Sequence, residues 1–569
     1  MSARLAKTAS LWLLVGAVAV AFADSSIVVL ALPDLLRQWG SSIGGVSWVV
    51  TAYNLVLALA SLALVWLDRR LDERRLVQSG LALFLAASLA CGLAWNLAGL
   101  VAFRSVQGLG GALLLVGSLP LVRRLAASPR RGATLWIAAG VVGTAVGPAL
   151  GGLLTELLSW RAVFFAQAPL AAAALVVARR SRQRERAQPE EPPATDADRS
   201  RRLLSANIAL ALASAALVGV LFLAVLLLID IWRLSPLAAA GVVSAIPLAT
   251  ILVQPLAVRV RSRSSAAAAV VALAAGLAGM AFLPARNVLW VLASLALAGI
   301  GLGIVVPTLS RIALSWGGSG TAPGAWNVAA RHLGLVAGLL IVTPLLTSGL
   351  SHQGERAKLQ ATSAVLDAPL PVKTKLELAF SLAPVLSRPA SRGLPDFSKE
   401  ISQQQIGEAS GLGGKLDSIV QAAFTRGFRL SYLATGLLGL LALVPFAFAL
   451  SAVPVRSRRR TLAAPALALL AAASLFGAEV AGGAFSYASK PRLYAACAGR
   501  ELFPGHGLDA ASQRLALIAL DRVACHYDMS REQLIVDLAA KGANSEVLLA
   551  VIEFGTARLS TLSEWLSVL

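Results

Sequence analysis

Apolar residues along this chain do not alternate with polar ones. They run in blocks of about 20, each long enough to cross a hydrocarbon core of roughly 30 Å as a helix. Such blocks read over 11–32, 46–67, 77–95, 98–121, 132–155, 162–178, 204–230, 236–258, 265–284, 287–310, 325–348, 427–453 and 461–483. Apolar on all sides, these helices have no aqueous face to present. The pattern predicts an all-α polytopic membrane protein with twelve spans and one extra span near the C-terminus. The first block imitates a signal peptide: Arg4 and Lys7 precede it, and Ala21-Phe22-Ala23 looks like a cleavage site. It continues past that site to Leu32, which is long enough to span.

Composition agrees with this pattern: 57% of the 569 residues are hydrophobic and 14% charged, against roughly 25% charged in soluble domains. The net charge of +21 would suggest nucleic acid on a soluble protein. Here the arginines sit in alternate loops, as Arg69, Arg70, Arg74 and Arg75, then Arg123, Arg124, Arg130 and Arg131, then Arg259, Arg261 and Arg263. Positive-inside topology accounts for that spacing and places the N-terminus in the cytoplasm. The expected setting is the cell membrane, with the lipid bilayer and not nucleic acid as partner.

A polar, proline-bearing segment over 179–203 divides the chain and reads as a flexible cytoplasmic linker. It separates a six-helix bundle over 1–178 from a second over 204–453. Two such halves suggest a transporter with its site between them. The second half carries an insertion over 350–426, and its "PVKTKLELAFSLAPVL" piece reads as a short amphipathic helix. The extra span 461–483 leads to a small helical tail over 485–569, expected outside the cytoplasm. Asp509 and Ser530 read as N-caps in that tail, and Ser530 with Gln533 fits a capping box. Cys497 and Cys525 lie in it, and an oxidising compartment favours a disulfide between them. No close ligand spacing of the zinc-finger kind is present, so no metal is expected.

Four features carry chemistry. Asp24 lies inside span 1, in "AFADSSIVVLALP". A carboxylate there is costly unless it faces a cavity, takes a proton or finds a partner. It reads as a proton or cation site, or else as a structural acid bonded to neighbouring serines or an arginine. Arg104 lies inside span 4 with Gln107 one turn on, followed by Gly108, Gly110 and Gly111. It reads as a buried cation with a partner, or as an arginine snorkelling from a helix end. In span 5, Gly143, Gly147, Gly151 and Gly152 recur mostly four apart, with Pro148 among them. They predict a groove for close helix approach and a bend. Tyr53, Asn54 and Gln254 are placed at the central cavity by span position alone. Asp230 reads as a boundary acid, Glu479 as a helix-packing contact, and Arg331 as meeting a headgroup or a gate carboxylate. His332 reads as structural more readily than as a proton relay.

"RSVQGLGGA" and "GTAVGPALGG" resemble motifs B and C of the major facilitator superfamily, the latter its antiporter motif. "ADSSIVVLALP" is similar to the span-1 motif of its quaternary-ammonium and multidrug exporters, and "WVVTAYNL", "WRAVFFAQAP" and "ARHLGLVAG" are similar to that group too. The resemblance covers roughly residues 10–453. It implies a 6+6 helix bundle and drug:proton antiport, with Asp24 and Arg104 in proton or substrate coupling. Departures accompany it. The loop after span 2 reads "LVWLDRRLDERRLV": Asp68 supplies the acid and Arg74 and Arg75 the basic end, without the leading glycine. In the family this loop is thought to latch the halves, so a different latch is implied. Ser26 and Leu30 replace the usual threonine and asparagine of the span-1 motif.

No phosphate-binding loop, nucleophile elbow or zinc-protease helix occurs. The expectation is therefore a secondary transporter rather than an enzyme, without a cofactor, exchanging protons for small amphipathic or cationic compounds. The alternative is a transporter-derived scaffold or sensor that binds an envelope protein or lipid through the insertion and tail.

Overall fold

Polar residues in the short loops set where the helices begin. Asn96 Oδ1 accepts from the Gly99 N–H at 2.7 Å, Ser128 Oγ from Arg131 N–H at 3.2 Å, and Ser235 Oγ from Ala238 N–H at 3.2 Å. Each bond satisfies an amide that the first helical turn leaves open. Gly40, at φ +56°, stops the helix Leu32–Trp39 in the left-handed region where a side chain is strained.

The structure, a computed structural model, describes residues 2–67, 72–180, 197–257, 263–283, 286–315, 320–386, 410–450, 477, 493–501, 503–504 and 507–541. Among these, every regular element is helical. Two compact units are formed, one from Met1–Thr347 with Phe428–Phe485, the other from Ser348–Gly427 with Ser486–Leu569.

In the first unit, α1 (Ser2–Ile27) passes through one tight turn into α2 (Leu32–Trp39). There follow α3 (Ile43–Leu67), α4 (Glu73–Gly92), α5 (Leu97–Leu125), α6 (Pro129–Leu157), α7 (Ala162–Phe165) and α8 (Ala168–Arg180). The second half holds α9 (Ala197–Val225), α10 (Pro236–Val243), α11 (Ala245–Leu252), α12 (Gln254–Ala257), α13 (Arg263–Ala281), α14 (Val288–Ser315) and the first part of α15 (Ala322–Leu366). Ten of the described helical stretches are long and apolar enough to cross a membrane, and shorter apolar stretches at Pro236–Leu252 and Ala266–Ala281 stand where spans 8 and 9 were expected. The expected span 461–483 and most of the linker 179–203 lie outside the described residues.

Small residues let these helices approach closely, and the two halves use them alike. A Cβ on Gly143 would run into the Ala19 carbonyl of α1, and one on Gly147 would meet the Ala23 carbonyl at 3.0 Å. In the second half, a Cβ on Gly334 would run into the Ala211 carbonyl of α9, and one on Gly338 into that of Ala215. Span 5 thus lies on span 1 as span 11 lies on span 7, four residues apart each time. Contacts so placed are what an internal repeat predicts.

The second unit combines segments that read separately in the sequence. Insertion helices α16 (Val372–Leu386) and α17 (Ser410–Gly427) share it with tail helices α20 (Leu508–His526) and α21 (Arg531–Ala540). Between the second unit's two ranges run α18 (Arg429–Leu441) and α19 (Leu443–Ala449), which belong to the first unit. A disulfide joins Cys497 and Cys525, with Cα atoms 4.7 Å apart. Ser530 caps α21 by accepting from Gln533 N–H at 3.2 Å, while the Gln533 side chain turns to Asp537 at 2.7 Å. The capping box is therefore half formed. Asp509 is no cap, because α20 begins two residues earlier than that cap would set it, with Gly507 in the capping place.

Tail and insertion are held by buried cations. Arg531 donates to Asp367 at 2.6 Å, and Arg500 makes a two-pronged pair with Glu532 at 2.7 and 2.9 Å. Lys375 Nζ, on a side chain that is 2% exposed, donates to the Leu366 carbonyl at 2.8 Å and to Gln513 Oε1 at 2.6 Å. Burial pushes the Lys375 ammonium down to about 8; Asp367 pulls it up and Arg531 adds to the fall. The folded value lies below the ordinary 10.5, so the folded unit binds fewer protons than the unfolded chain between about pH 8 and 10.5. Stability from this group therefore rises with pH across that window. Protease resistance of the tail in the full chain, measured relative to Lys375→Gln, is expected to climb from pH 8 to pH 10; a flat ratio contradicts the account.

Candidate functional site

The site is built around three consecutive residues of α1, Asp24, Ser25 and Ser26, each reaching a different neighbour. Asp24 is fully buried. Its carboxylate pairs with Arg104 of α5, and Gln167 Nε2 donates to Oδ1 at 2.7 Å. Arg104 is equally buried, with Nε on the Val49 carbonyl at 3.0 Å and Nη1 on Gln107 Oε1 at 2.7 Å. Its guanidinium lies 4.2 Å over the ring of Tyr53, whose hydroxyl donates to the Ala21 carbonyl at 2.9 Å. Gln107 Nε2 in turn donates to Ser88 Oγ at 2.9 Å. Arg104 therefore does not snorkel.

Ser25 Oγ donates to Asn54 Oδ1 at 2.8 Å, and His332 Nδ1 lies 2.6 Å from that same oxygen. Ser26 Oγ shares its proton between the Ala23 carbonyl of its own helix at 2.9 Å and the Thr144 carbonyl at 3.1 Å, and Thr144 Oγ1 accepts from Arg331 at 2.5 Å. Two of the three branches thus end on Arg331 and His332, adjacent residues of the second half. Among the described residues Arg331 meets no gate carboxylate. It is buried, bonded to Thr144 and set 4.7 Å over the Phe22 ring.

Sequence reasoning missed Gln167 and Thr144. Each is an ordinary polar residue in an apolar stretch, and only the folded chain places it against Asp24 or Arg331. Of the residues expected at the cavity, Tyr53, Asn54 and Gln107 join this cluster. Gln254 does not: it donates to the carbonyls of Thr250 and Gly303 on its own side of the second half. Gly151 faces the Ile27 carbonyl of α1, and Gly152 faces Ala240 of α10, so the groove of α6 contacts both halves. Pro148 lines a cavity of about 40 Å³ with Thr144, Leu221, Pro247, Thr250 and Arg331. Drug-sized sites need roughly 300 Å³ or more, and this cavity is far smaller.

The profile of the Major Facilitator Superfamily matches residues 14–339, more than half of the chain. The chain belongs to the major facilitator superfamily. This facilitator is therefore a multi-pass membrane protein of a transporter family rather than an enzyme. It is 38% identical over 157 residues to the multidrug resistance protein Stp of Mycobacterium tuberculosis, which covers 27% of this chain and 29% of that protein. It is also 38% identical over 164 residues to the tetracenomycin C resistance and export protein of Streptomyces glaucescens, covering 28% of this chain and 30% of that one. These alignments span less than a third of the relatives' length. Among solved structures, a bacterial homologue of the human lysosomal transporter Spinster, inward-facing and occupied, matches 79% of this chain and 97% of its own at a TM-score of 0.55 and 15% identity. At that identity the likeness shows the fold alone.

Contacts join the two halves near both ends. At the face bearing the N-terminus, Leu64, Leu76 and Val116 pack on Ala325, and Arg123 donates to the Leu314 carbonyl at 3.0 Å. Arg74 of the motif after span 2 bonds instead to the carbonyls of Ala178 and Arg179 within its own half, and Arg75 reaches Asp72 at 3.6 Å. Asp68 lies outside the described residues. At the opposite face, Arg37 of the first half meets Asp230 of the second at 3.4 Å. Asp230 is 7% exposed and sits in a wide turn, Leu226–Ile231, at the end of span 7. It is thus a residue at the span's boundary, as expected, that also makes a cross-half contact. Asp230→Asn is expected to loosen this face severalfold, read as faster labelling of a cysteine at Leu30. The exchanged pair Arg37→Asp with Asp230→Arg is expected to restore slow labelling; equal labelling in all three contradicts a latch.

Proposed function

We propose that this chain is a secondary transporter that expels small amphipathic or cationic compounds in exchange for protons, by rocking of its two halves. The observation that carries the reading is the fully buried Asp24–Arg104 pair, whose neighbouring serines lead to the second half. An ionisable pair at membrane depth is a functional site by default, because hydrocarbon penalises it unless it serves one. A proton on Asp24 cancels the charge that holds Arg104 and strips the guanidinium of its counterion. A cationic cargo competes for the same carboxylate. Proton and cargo then exclude one another, which is exchange chemistry. The export functions in the relatives' names support efflux.

The basic loops support a cytoplasmic N-terminus. The union of insertion and tail in one unit supports placing both on one side of the membrane, and the disulfide supports the oxidising side. The test is efflux of a fluorescent lipophilic cation from proteoliposomes under an imposed pH gradient. Flux that follows the gradient and collapses with a protonophore supports exchange; flux indifferent to the gradient sinks it.

A further inference from the structure

Tyr53 is flanked by two buried polar atoms that have no hydrogen-bond partner among the described residues. One is the donor Arg104 Nη2, the other His332 Nε2. The His332 ring lies edge-on to Tyr53 at 6.4 Å and nearly parallel to Phe22, 6.1 Å away and 17° inclined. Trp136 stands edge-on to Phe22 at 5.4 Å.

The state of Nε2 follows from the bonds around it. Asn54 Nδ2 donates to the Val50 carbonyl at 2.8 Å, which fixes the amide's orientation. Oδ1 then faces both Ser25 Oγ and His332 Nδ1. A carbonyl oxygen only accepts, so Nδ1 carries its proton, and in the neutral ring Nε2 is an acceptor. A buried acceptor left open costs about 1–3 kcal/mol. The ring around it is held in one tautomer and one orientation, which is how an acceptor is prepared for a ligand.

We propose that His332 is a specificity-determining residue that contacts the cargo, Nε2 accepting a hydrogen bond from an N–H or O–H on a flat aromatic compound. The aromatic rings of Phe22, Tyr53 and Trp136 supply the apolar walls, and the open Arg104 Nη2 suits a carbonyl or ether oxygen on the same molecule. Arg331, one residue earlier, already lines the cavity between the halves. The cargo would reach His332 from that cavity as the halves part. The inference rests on the efflux reading and narrows its cargo to flat aromatics that carry a donor.

Two rhodamine dyes separate the possibilities. Rhodamine 6G and tetramethylrhodamine ethyl ester are both planar cationic ethyl esters, but only the first has N–H groups on its ring system. Their binding to the purified full chain in nanodiscs is measured by fluorescence anisotropy, and their efflux in proteoliposomes. The wild type is expected to prefer rhodamine 6G by about tenfold, the effect of one hydrogen bond. His332→Leu is expected to weaken rhodamine 6G more than the other dye, so that the preference is lost. His332→Gln, whose amide oxygen accepts, is expected to keep part of it. A wild type that binds and exports both dyes equally overturns the inference alone, whatever the variants' folding. So does a preference that survives in His332→Leu. Failure of the wild type to bind or move either dye counts against the efflux reading and takes the inference with it.

Discussion

Asp24→Asn is expected to reduce gradient-driven efflux to about a hundredth of wild type or less, the scale of losing a group that exchanges a proton. Asparagine keeps the size of the side chain and an acceptor for Gln167. It can neither take up a proton nor balance Arg104. The same substitution should lower stability, because breaking a buried ion pair by removing one partner costs about 3–5 kcal/mol. Loss of flux alone therefore does not separate transport from folding. Asp24→Leu combined with Arg104→Leu does: it removes both charges, and apolar replacement of a buried pair is often neutral. The double variant should melt closer to wild type than either single one, yet remain inactive. Proton-driven flux in a well-folded double variant would remove the pair from the mechanism.

Gly147→Ala is expected to be nearly as damaging for a steric reason. The added Cβ would run into Ser26 Oγ and lie 3.0 Å from the Ala23 carbonyl. Overpacking of this kind costs about 1–3 kcal/mol. It also pushes apart the two helices whose contact carries the Ser26–Thr144–Arg331 branch. Gly338→Ala is the matched control, since its Cβ would run into the Ala215 carbonyl at the equivalent contact of the second half. Gly338→Ala should lose at least as much stability by thermal melting, because its Cβ meets backbone whereas the nearest atom at Gly147 is a hydroxyl that can turn away. Flux should fall by a further tenfold or so only in Gly147→Ala. Equal flux in the two would assign the glycines to packing alone.

Much of this protein is decided by local pattern. Blocks of apolar residues specify the spans, because hydrocarbon leaves a backbone no partner except its own helix. Caps at Asn96, Ser128 and Ser235 specify where helices start. Glycines four apart specify that something packs against span 5, because only a helix surface without Cβ atoms admits another backbone. The acid in span 1 and the arginine in span 4 were each conspicuous, since either is expensive in a membrane.

What the sequence by itself leaves open is which residue answers which. Asp24 and Arg104 are 80 residues apart. Gln167 and Thr144 are unremarkable until folding places them beside charged or polar partners. Arg331 had several plausible partners by position, and the fold chose Thr144. Insertion and tail are separated in sequence by two expected spans, 427–453 and 461–483, yet Lys375 meets Gln513 and Arg531 meets Asp367. Pattern determines helices because it acts between neighbours in sequence. Pairing of buried polar groups depends on distances between helices, and those are settled only when all the helices pack at once.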